Sequence, residues 1–163
     1  MADVVVGNVI LTSTLVAALI IFVAAAQAYS TFYQTEEAGL IMEHYANYVS
    51  QAIQETYIVL NSSNVPASDT RVEVSLNLPL TIINHAYTLD AGCRTQLGHE
   101  NLTIVFQIRG SPIIKSSSTL VGLNTICEFP ATQVCGTPNL TLSALKAADG
   151  KVIIGFSHYV VCE

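Results

Sequence analysis

Cysteine and histidine are the residue types in this chain most able to do chemistry, and both are few. The four cysteines are Cys93, Cys127, Cys135 and Cys162. None lies two to four residues from another, which is the spacing of zinc ligands, so we expect no metal. Their even number predicts two disulfides, in one of three pairings. Cys127 and Cys135 flank a proline-containing turn and are the easiest pair, which would leave Cys93 with Cys162.

The four histidines do not form a recognisable catalytic arrangement. They are His44, His85, His99 and His158, with no acid or nucleophile at a familiar spacing. His158 is in phase with the alternating apolar residues of the last predicted strand, which predicts a mostly buried ring. The sequence has no nucleophile elbow, phosphate-binding glycine loop or zinc-protease motif. We therefore expect a protein that is not an enzyme and that holds no cofactor.

Three asparagines stand in glycosylation sequons. Asn61, Asn101 and Asn139 each precede a Ser or Thr by two positions. Such triplets are common by chance and also fit ordinary turn and strand residues. Three of them beside paired cysteines predict an exported domain in an oxidising environment, with N-glycosylation at these positions.

A long uncharged segment precedes all of these residues. No charged side chain occurs between Asp3 and Glu36. Its centre, Val9 to Ala28, is rich in Ala, Val, Leu and Ile and contains no proline. About 20 apolar residues in a helix suffice to cross a hydrocarbon core. The run is longer than the apolar part of a signal peptide and starts Met-Ala-Asp, so we interpret it as a membrane helix.

The helical pattern continues beyond this segment to about residue 60. Apolar residues recur at three- and four-residue spacing through 36–60, including Met42, Tyr45 and Val49. Acidic and amide side chains fill most of the other side, as in an amphipathic helix. The first stop signal is the polar segment 61–70, which contains Pro66. The apolar stripe of this half needs cover, either from the rest of the chain or from copies of the helix.

The absence of basic residues near the apolar segment is informative about its orientation. The chain has six Lys and Arg against twelve Asp and Glu, and its first basic residue is Arg71. A membrane helix is normally oriented by Lys or Arg on its cytoplasmic flank. Either another signal orients this helix, or a basic leader once preceded Met1 and was removed. The net charge of −6 predicts no nucleic-acid partner.

Period-two alternation replaces the helical spacing after the hinge. Alternating runs begin at Val72, Leu102, Leu140 and Val152; the segments 82–89 and 120–126 are further candidate strands. Clusters of Gly, Pro, Asn and Ser separate the runs, as in an antiparallel β-sandwich. The Asp149-Gly150 pair predicts a hairpin turn. The fold class is α+β, with one long N-terminal helix (1–60), a hinge (61–70) and a small antiparallel β-sandwich (71–163).

This order of elements resembles the archaeal type IV pilin and archaellin superfamily. The resemblance is carried by the segment Val4–Tyr33, VVVGNVILTSTLVAALIIFVAAAQAYSTFY, and by the region from Leu78 to Leu89, which is similar to a first pilin hairpin. Bacterial type IV pilins carry glutamate at the fifth mature position, whereas this chain has Val5, which fits the archaeal members better. Two disulfides are more than a typical pilin carries.

The resemblance implies a subunit that is held in the membrane until assembly machinery extracts it into a pilus, which serves adhesion, DNA uptake or motility. The apolar helices would then bundle with copies of themselves in a helical homopolymer, with the β domains outside. The implied core residues are Val9, Leu15, Leu19, Phe22, Ala25, Tyr29, Met42, Tyr45 and Val49. The alternatives are an archaellum filament subunit and a solitary membrane-anchored extracellular domain. The amphipathic half of the helix favours a filament, because a lone anchor has no need of a second apolar stripe.

Overall fold

The computed structural model describes residues 2–66, 70–96, 99–121, 125–129 and 133–162. The chain divides into two compact units, Met1–Glu37 and Ala38–Glu163. The boundary falls inside the single long helix α1, Ala2–Asn61, and not at the predicted hinge. The folded domain therefore begins at Ala38, because the second half of α1 packs with the sheets.

Eight strands follow the helix and form two four-stranded sheets. They are β1 (Thr70–Ser75), β2 (Tyr87–Gln96), β3 (His99–Ile108), β4 (Ile114–Val121), β5 (Thr125–Glu128), β6 (Val134–Cys135), β7 (Thr141–Lys146) and β8 (Val152–Ser157). The first sheet has the order β1-β7-β8-β5 and the second has the order β4-β3-β2-β6. This architecture confirms the α+β class with one long N-terminal helix and two small sheets.

One pairing departs from the predicted antiparallel arrangement. Strand β5 runs parallel to β8, with Thr125 opposite Val152 and Glu128 opposite Gly155, while the other pairs among the described strands are antiparallel. The chain reaches β5 from β4 in the other sheet, so this neighbour of β8 is not set by a hairpin. Gly155 suits the contact, since a Cβ there would collide with the backbone carbonyl of Glu128.

Turn chemistry explains which predicted strands were right. The predicted Asp149-Gly150 turn is confirmed between β7 and β8, with Gly150 at φ 82°. The candidate strand 82–89 is wrong in its first half, because Ile83 and Asn84 both have positive φ and form a two-residue turn. Only β2, from Tyr87, is a strand there. The Ser-rich β4 was not predicted; of the candidate 120–126, residues 122–124 lie outside the described part of the chain.

The core contains one helical stripe and the inward residues of both sheets. The stripe contributes Ala38, Met42, Ala46, Val49, Ile53 and Leu60. These residues belong to one buried cluster with sheet residues such as Leu142 and Ile154 of the first sheet and Ile104 and Phe106 of the second. Burying each large apolar side chain stabilises the domain by about 1.5–3 kcal/mol. This stripe of α1 is thus covered by its own domain, while Leu40, Ile58 and Val59 on the same half of the helix remain exposed.

Side-chain contacts hold this half of α1 beside an edge strand of each sheet. Ser117 of β4 donates a 2.8 Å hydrogen bond to the Asn47 side-chain carbonyl, and Lys115 lies 3.5 Å from Glu43. Toward the other sheet, Tyr48, Ala52 and Thr56 line a groove with Val72 and Val74 of β1. Since β1 and β4 are edge strands, the helix closes one side of the space between the sheets.

Candidate functional site: an uncharged exposed helical surface

The exposed surface of the first unit is the most unusual feature of the chain. Every residue from Gly7 to Glu37 is exposed, and Glu36 and Glu37 carry the only charges among them. The large apolar side chains of this surface include Phe22, which is 74% exposed. Others are Val9, Ile10, Leu11, Leu15, Val16, Leu19, Ile20, Ile21, Val23, Tyr29, Phe32 and Tyr33. Globular proteins rarely expose apolar patches of this extent, so the segment needs another covering phase or partner.

The helix is long and apolar enough to cross a membrane. Over Gly7–Asn61 it contains a window with mean hydropathy 2.6, none of which is buried by the described chain. A signal sequence near an N-terminus meets the same criterion of length and composition. The segment is therefore a candidate single membrane span or signal.

Five Ser and Thr hydroxyl groups of this segment are bonded within their own helix. Thr12 and Ser13 donate to the carbonyls of Asn8 and Val9 at 2.9 and 2.7 Å, and Thr14 donates to Leu11 at 2.9 Å. Thr31 and Thr35 likewise donate to backbone carbonyls four residues earlier, those of Gln27 and Thr31. Such bonds satisfy polar side chains in a helix without help from water. The three early hydroxyls therefore do not require a bond to another helix.

The structure separates the predicted filament-core residues into two groups. Those in the first unit are exposed and available to a partner: Val9, Leu15, Leu19, Phe22, Ala25 and Tyr29. Met42 and Val49 are completely buried in their own domain, and Tyr45 is half-buried against the same core. The assignment of Met42 and Val49 to contacts between helices is therefore corrected, because their surface is already covered. The amphipathic half of α1 consequently no longer distinguishes a filament from a lone anchor.

The two predicted disulfides are present, but their pairing differs from the easiest one. Cys93 pairs with Cys127, with 6.1 Å between the Cα atoms, and Cys135 pairs with Cys162 at 5.2 Å. Cys127 and Cys135 are close in sequence, yet they lie on β5 and β6 in different sheets. Proximity along the chain was therefore a poor guide to pairing. Disulfides of this kind indicate an oxidising, extracellular type of environment.

Both disulfides lie away from the helix-covered side of the domain. Cys93 on β2 and Cys127 on β5 join the two sheets. The second disulfide fixes the C-terminal segment beside β6, where Cys135 N–H donates to the Val160 carbonyl at 2.8 Å. Cys162 N–H also donates to the Gln133 carbonyl at 3.0 Å. The helix and the disulfides thus stabilise different sides of the same domain.

The three sequon asparagines occupy different environments. Asn61 is exposed and is the last residue of α1, while Asn139 is exposed in the turn before β7. Asn101 is half-buried in β3, a strand with neighbours on both sides. Asn61 and Asn139 therefore present accessible acceptor positions, and N-glycosylation of all three stays a prediction.

The histidines that the structure describes lie at exposed positions. His44 and His85 are exposed, and the side chain of His99 lies outside the described part. The expectation of a buried His158 is wrong: it is exposed at φ 53°, because the chain bends there and alternation ends. Among the residues that the structure describes, no three His, Cys, Asp or Glu side chains come together as metal ligands.

Two structural side chains were missed at the sequence level. Lys146 is only 8% exposed, and its ammonium bonds to carbonyls that follow α1. Its phase with the inward residues Leu142 and Ala144 was a usable signal. Buried Tyr87 donates a 2.6 Å hydrogen bond to the Pro79 carbonyl. No pattern in the sequence predicts this contact.

Comparisons with protein-family models, with curated proteins and with solved structures find no match. The exposed surface of α1 and the domain that follows it are the features that indicate a function.

Proposed function

We propose that this chain is the structural subunit of an extracellular filament of the archaeal type IV pilus kind. The apolar first unit forms the filament core with copies of itself, and the disulfide-containing domains lie outside. Before assembly the same helix holds the subunit in the membrane, and assembly machinery extracts it. The observation that carries the proposal is the exposed, uncharged surface from Gly7 to Thr35.

Once this apolar surface leaves lipid, its exposure to water is unfavourable unless another apolar surface covers it. Exposing apolar area to water costs roughly 25 cal/mol per Å². The described domain buries its own helical stripe from Ala38 onward, while residues 7–37 are all exposed. In an extracellular location without lipid, apolar helices of other copies are the chemically matched cover.

The distribution of the exposed residues favours many copies over one. Exposed apolar side chains occur on every side of the helix, since nearly every residue of 9–26 is apolar and exposed. One partner in a two-fold dimer covers a single face. Contacts on several faces are heterologous, and heterologous contacts that do not close propagate as an open helical assembly.

Small residues in the segment permit such helices to approach closely. The alanines are Ala17, Ala18, Ala24, Ala25, Ala26 and Ala28, all of them exposed. Small side chains let helix backbones come near one another, which strengthens van der Waals packing between apolar helices. The back-bonded hydroxyls of Thr12, Ser13 and Thr14 add no polar obstacle to this packing.

A solitary membrane-anchored domain is the second candidate, and an archaellum filament subunit is a variant of the first. Lipid would also cover the helix on all sides, so exposure alone does not separate the two classes. The two classes differ in what finally covers the helix: copies of itself in the filament, and only lipid in the solitary anchor.

A charge in the middle of the exposed surface tests the proposal. Ala24→Asp places a carboxylate among apolar neighbours, whereas Asn77→Asp adds the same charge at an exposed position of the domain. Negative-stain images of cell-surface material should show filaments for the wild type and Asn77→Asp and none for Ala24→Asp. Circular dichroism should show that the domain of Ala24→Asp remains folded.

Two results would replace the filament with the solitary anchor. The first is filament formation by Ala24→Asp at the wild-type level. The second is wild-type protein recovered from its native surface only as a detergent-solubilised monomer, with mass spectrometry showing an intact chain.

A further inference from the structure

An aromatic cluster lies where the apolar surface of α1 ends. Tyr29 and Tyr33 have ring centroids 4.5 Å apart, and the Phe32 ring lies 6.4 Å from that of Tyr33. The three side chains are 64%, 53% and 64% exposed in the order Tyr29, Tyr33, Phe32. The first carboxylates after Asp3 follow directly, at Glu36 and Glu37. The cluster therefore stands between an apolar segment and a charged one.

The segment before the cluster has the length of a hydrocarbon core. Asn8 and Gln27 bracket residues 9–26, which contain no amide or charged side chain. At a rise of about 1.5 Å per residue, this window spans roughly 27 Å, close to the thickness of bilayer hydrocarbon, which is about 30 Å. The match identifies Ala17 and Ala18 as the midpoint.

The polar side chains inside this window are hydrogen-bonded within the helix, as polar groups in hydrocarbon must be. Its only polar residues are Thr12, Ser13 and Thr14, and each donates to a carbonyl of its own helix. Without water, an unsatisfied polar group is costly, so internal bonding suits a hydrocarbon environment. The exposed apolar side chains and the hydroxyls bonded within the helix together match a hydrocarbon environment better than water.

Distances along the helix place the aromatic cluster at the bilayer interface. From the midpoint, Tyr29 lies about 17 Å and Tyr33 about 23 Å along the axis, at about 1.5 Å per residue. At the average helix tilt of about 20°, these distances correspond to depths of about 16 Å and 22 Å. The hydrocarbon boundary lies about 15 Å and the outer headgroup limit about 20–22 Å from the centre. Tyr rings, with an apolar body and a polar hydroxyl, concentrate in this zone.

We propose that Tyr29, Phe32 and Tyr33 form an interfacial anchor that fixes the depth of α1 in a lipid bilayer, with residues 9–26 crossing the hydrocarbon. This inference rests on the membrane stage of the proposed function and adds the segment that sets its depth. The competing arrangement is that the cluster packs between helices of different copies. In that case its rings would be shielded from lipid.

Depth-dependent fluorescence quenching distinguishes these arrangements. The chain contains no Trp, so each Trp variant of the full chain carries a single indole. Tyr29→Trp reports on the cluster, Leu19→Trp on the midpoint, and Tyr159→Trp on an exposed position of the domain. Each is reconstituted in phosphatidylcholine vesicles whose acyl chains are brominated near the carbonyl or near the methyl end.

The anchor predicts a specific pattern of quenching. The Tyr29→Trp indole should be quenched about twofold more by the shallow bromines, as expected at an interface, and the Leu19→Trp indole more by the deep ones. Neither lipid should quench Tyr159→Trp. Adding Tyr29→Leu, Phe32→Leu and Tyr33→Leu to Leu19→Trp keeps the segment apolar and removes all three rings of the cluster. Without the anchor the longer apolar segment recentres in the bilayer, so the ratio of deep to shallow quenching of the Leu19→Trp indole should fall.

Three results would overturn the anchor, and each has a separate meaning. Stronger quenching of Tyr29→Trp by the deep bromines than by the shallow ones would show that position 29 lies inside the hydrocarbon, so that residues 9–26 are not the membrane span. Weak quenching of Tyr29→Trp by both lipids, with Leu19→Trp quenched by the deep one, would favour packing between copies. An unchanged quenching ratio of the Leu19→Trp indole after the three Leu substitutions would show that the aromatic cluster does not set the depth of the span. Filament images, which test the proposed function, are independent of these outcomes.

Discussion

The ammonium of Lys146, on β7, donates a 2.8 Å hydrogen bond to the carbonyl of Val65, just beyond the end of α1. It also donates to the Ser62 carbonyl at 3.1 Å. The last turn of α1 has no basic residue of its own. A cation near a helix C-terminus is stabilised by the helix dipole, so this lysine, from a distant strand, caps the turn that follows the helix.

Replacing Lys146 tests the cap. We expect Lys146→Met to lower the free energy of unfolding by about 1–3 kcal/mol, because it leaves two carbonyls without their donor in a half-buried position. Lys151→Met is the matched control: it removes the same charge from an exposed ion pair with Asp149 and should change stability by about 0.5 kcal/mol or less. Urea unfolding of the full chain in a mild detergent measures both. Equal effects would show that charge, and not the cap, matters.

Truncation tests the position of the domain boundary. A chain of residues 38–163 keeps the whole buried stripe and should be soluble, folded and monomeric. A chain of residues 61–163 lacks Met42, Val49 and Ile53, each fully buried, and other members of the stripe. At about 1.5–3 kcal/mol per large side chain, this loss approaches the stability of a typical domain, which is about 5–15 kcal/mol.

Circular dichroism and size-exclusion chromatography compare the two truncated chains. We expect cooperative thermal unfolding for 38–163 and none for 61–163. Cooperative unfolding of 61–163 at a similar temperature would show that the sheets do not depend on α1.

The helix and the alternating strands could be predicted from sequence because they depend on local periodicity. The uncharged run before Glu36 and the alternation around Ile104 and Ile154 each specify one element without knowledge of the rest. The partner of the amphipathic stripe could not be deduced from sequence. An apolar stripe indicates that one face of the helix is buried, but it does not identify the surface that buries it. The structure shows that Met42 faces its own sheets.

Most of the errors concern relationships between distant segments, and one is local. The parallel pairing of β5 with β8 and the partners of Cys127 and Cys135 follow from sheet topology, which spacing does not encode. The strand predicted from Ile82 failed because Ile83 has positive φ, an uncommon conformation for a β-branched residue. The exposed surface of residues 7–35 was predictable, because apolar composition alone identifies it.

Peptide mapping under non-reducing conditions tests the disulfides. We expect Cys93 linked to Cys127, Cys135 linked to Cys162, and no alkylatable thiol. The double variant Cys135→Ser, Cys162→Ser should lose about 2–4 kcal/mol of stability, since it removes a loop constraint from the unfolded chain. A peptide joining Cys127 to Cys135, or four free thiols in native material, would contradict the observed pairing.

Tyr87 gives a pH-dependent prediction. Burial, together with the nearby Tyr45, raises the pKa of the Tyr87 hydroxyl above its ordinary value of 10.0. The folded protein therefore keeps this proton at a pH where the unfolded chain releases it. The resulting stability is fully present below about pH 10 and is lost as the pH rises further, by up to about 1.4 kcal/mol per pH unit.

Comparing Tyr87→Phe with the wild type isolates this effect. At neutral pH the substitution should cost about 1–2 kcal/mol, because the Pro79 carbonyl loses its 2.6 Å hydrogen bond. Between about pH 10 and pH 11 the wild type should lose stability more steeply, so the difference between the two proteins should shrink. Tyr159→Phe, at an exposed position, is the control and should follow the wild type. Urea unfolding at each pH measures the difference, and a gap between wild type and Tyr87→Phe that stays constant above pH 10 would show that Tyr87 is not the group that titrates.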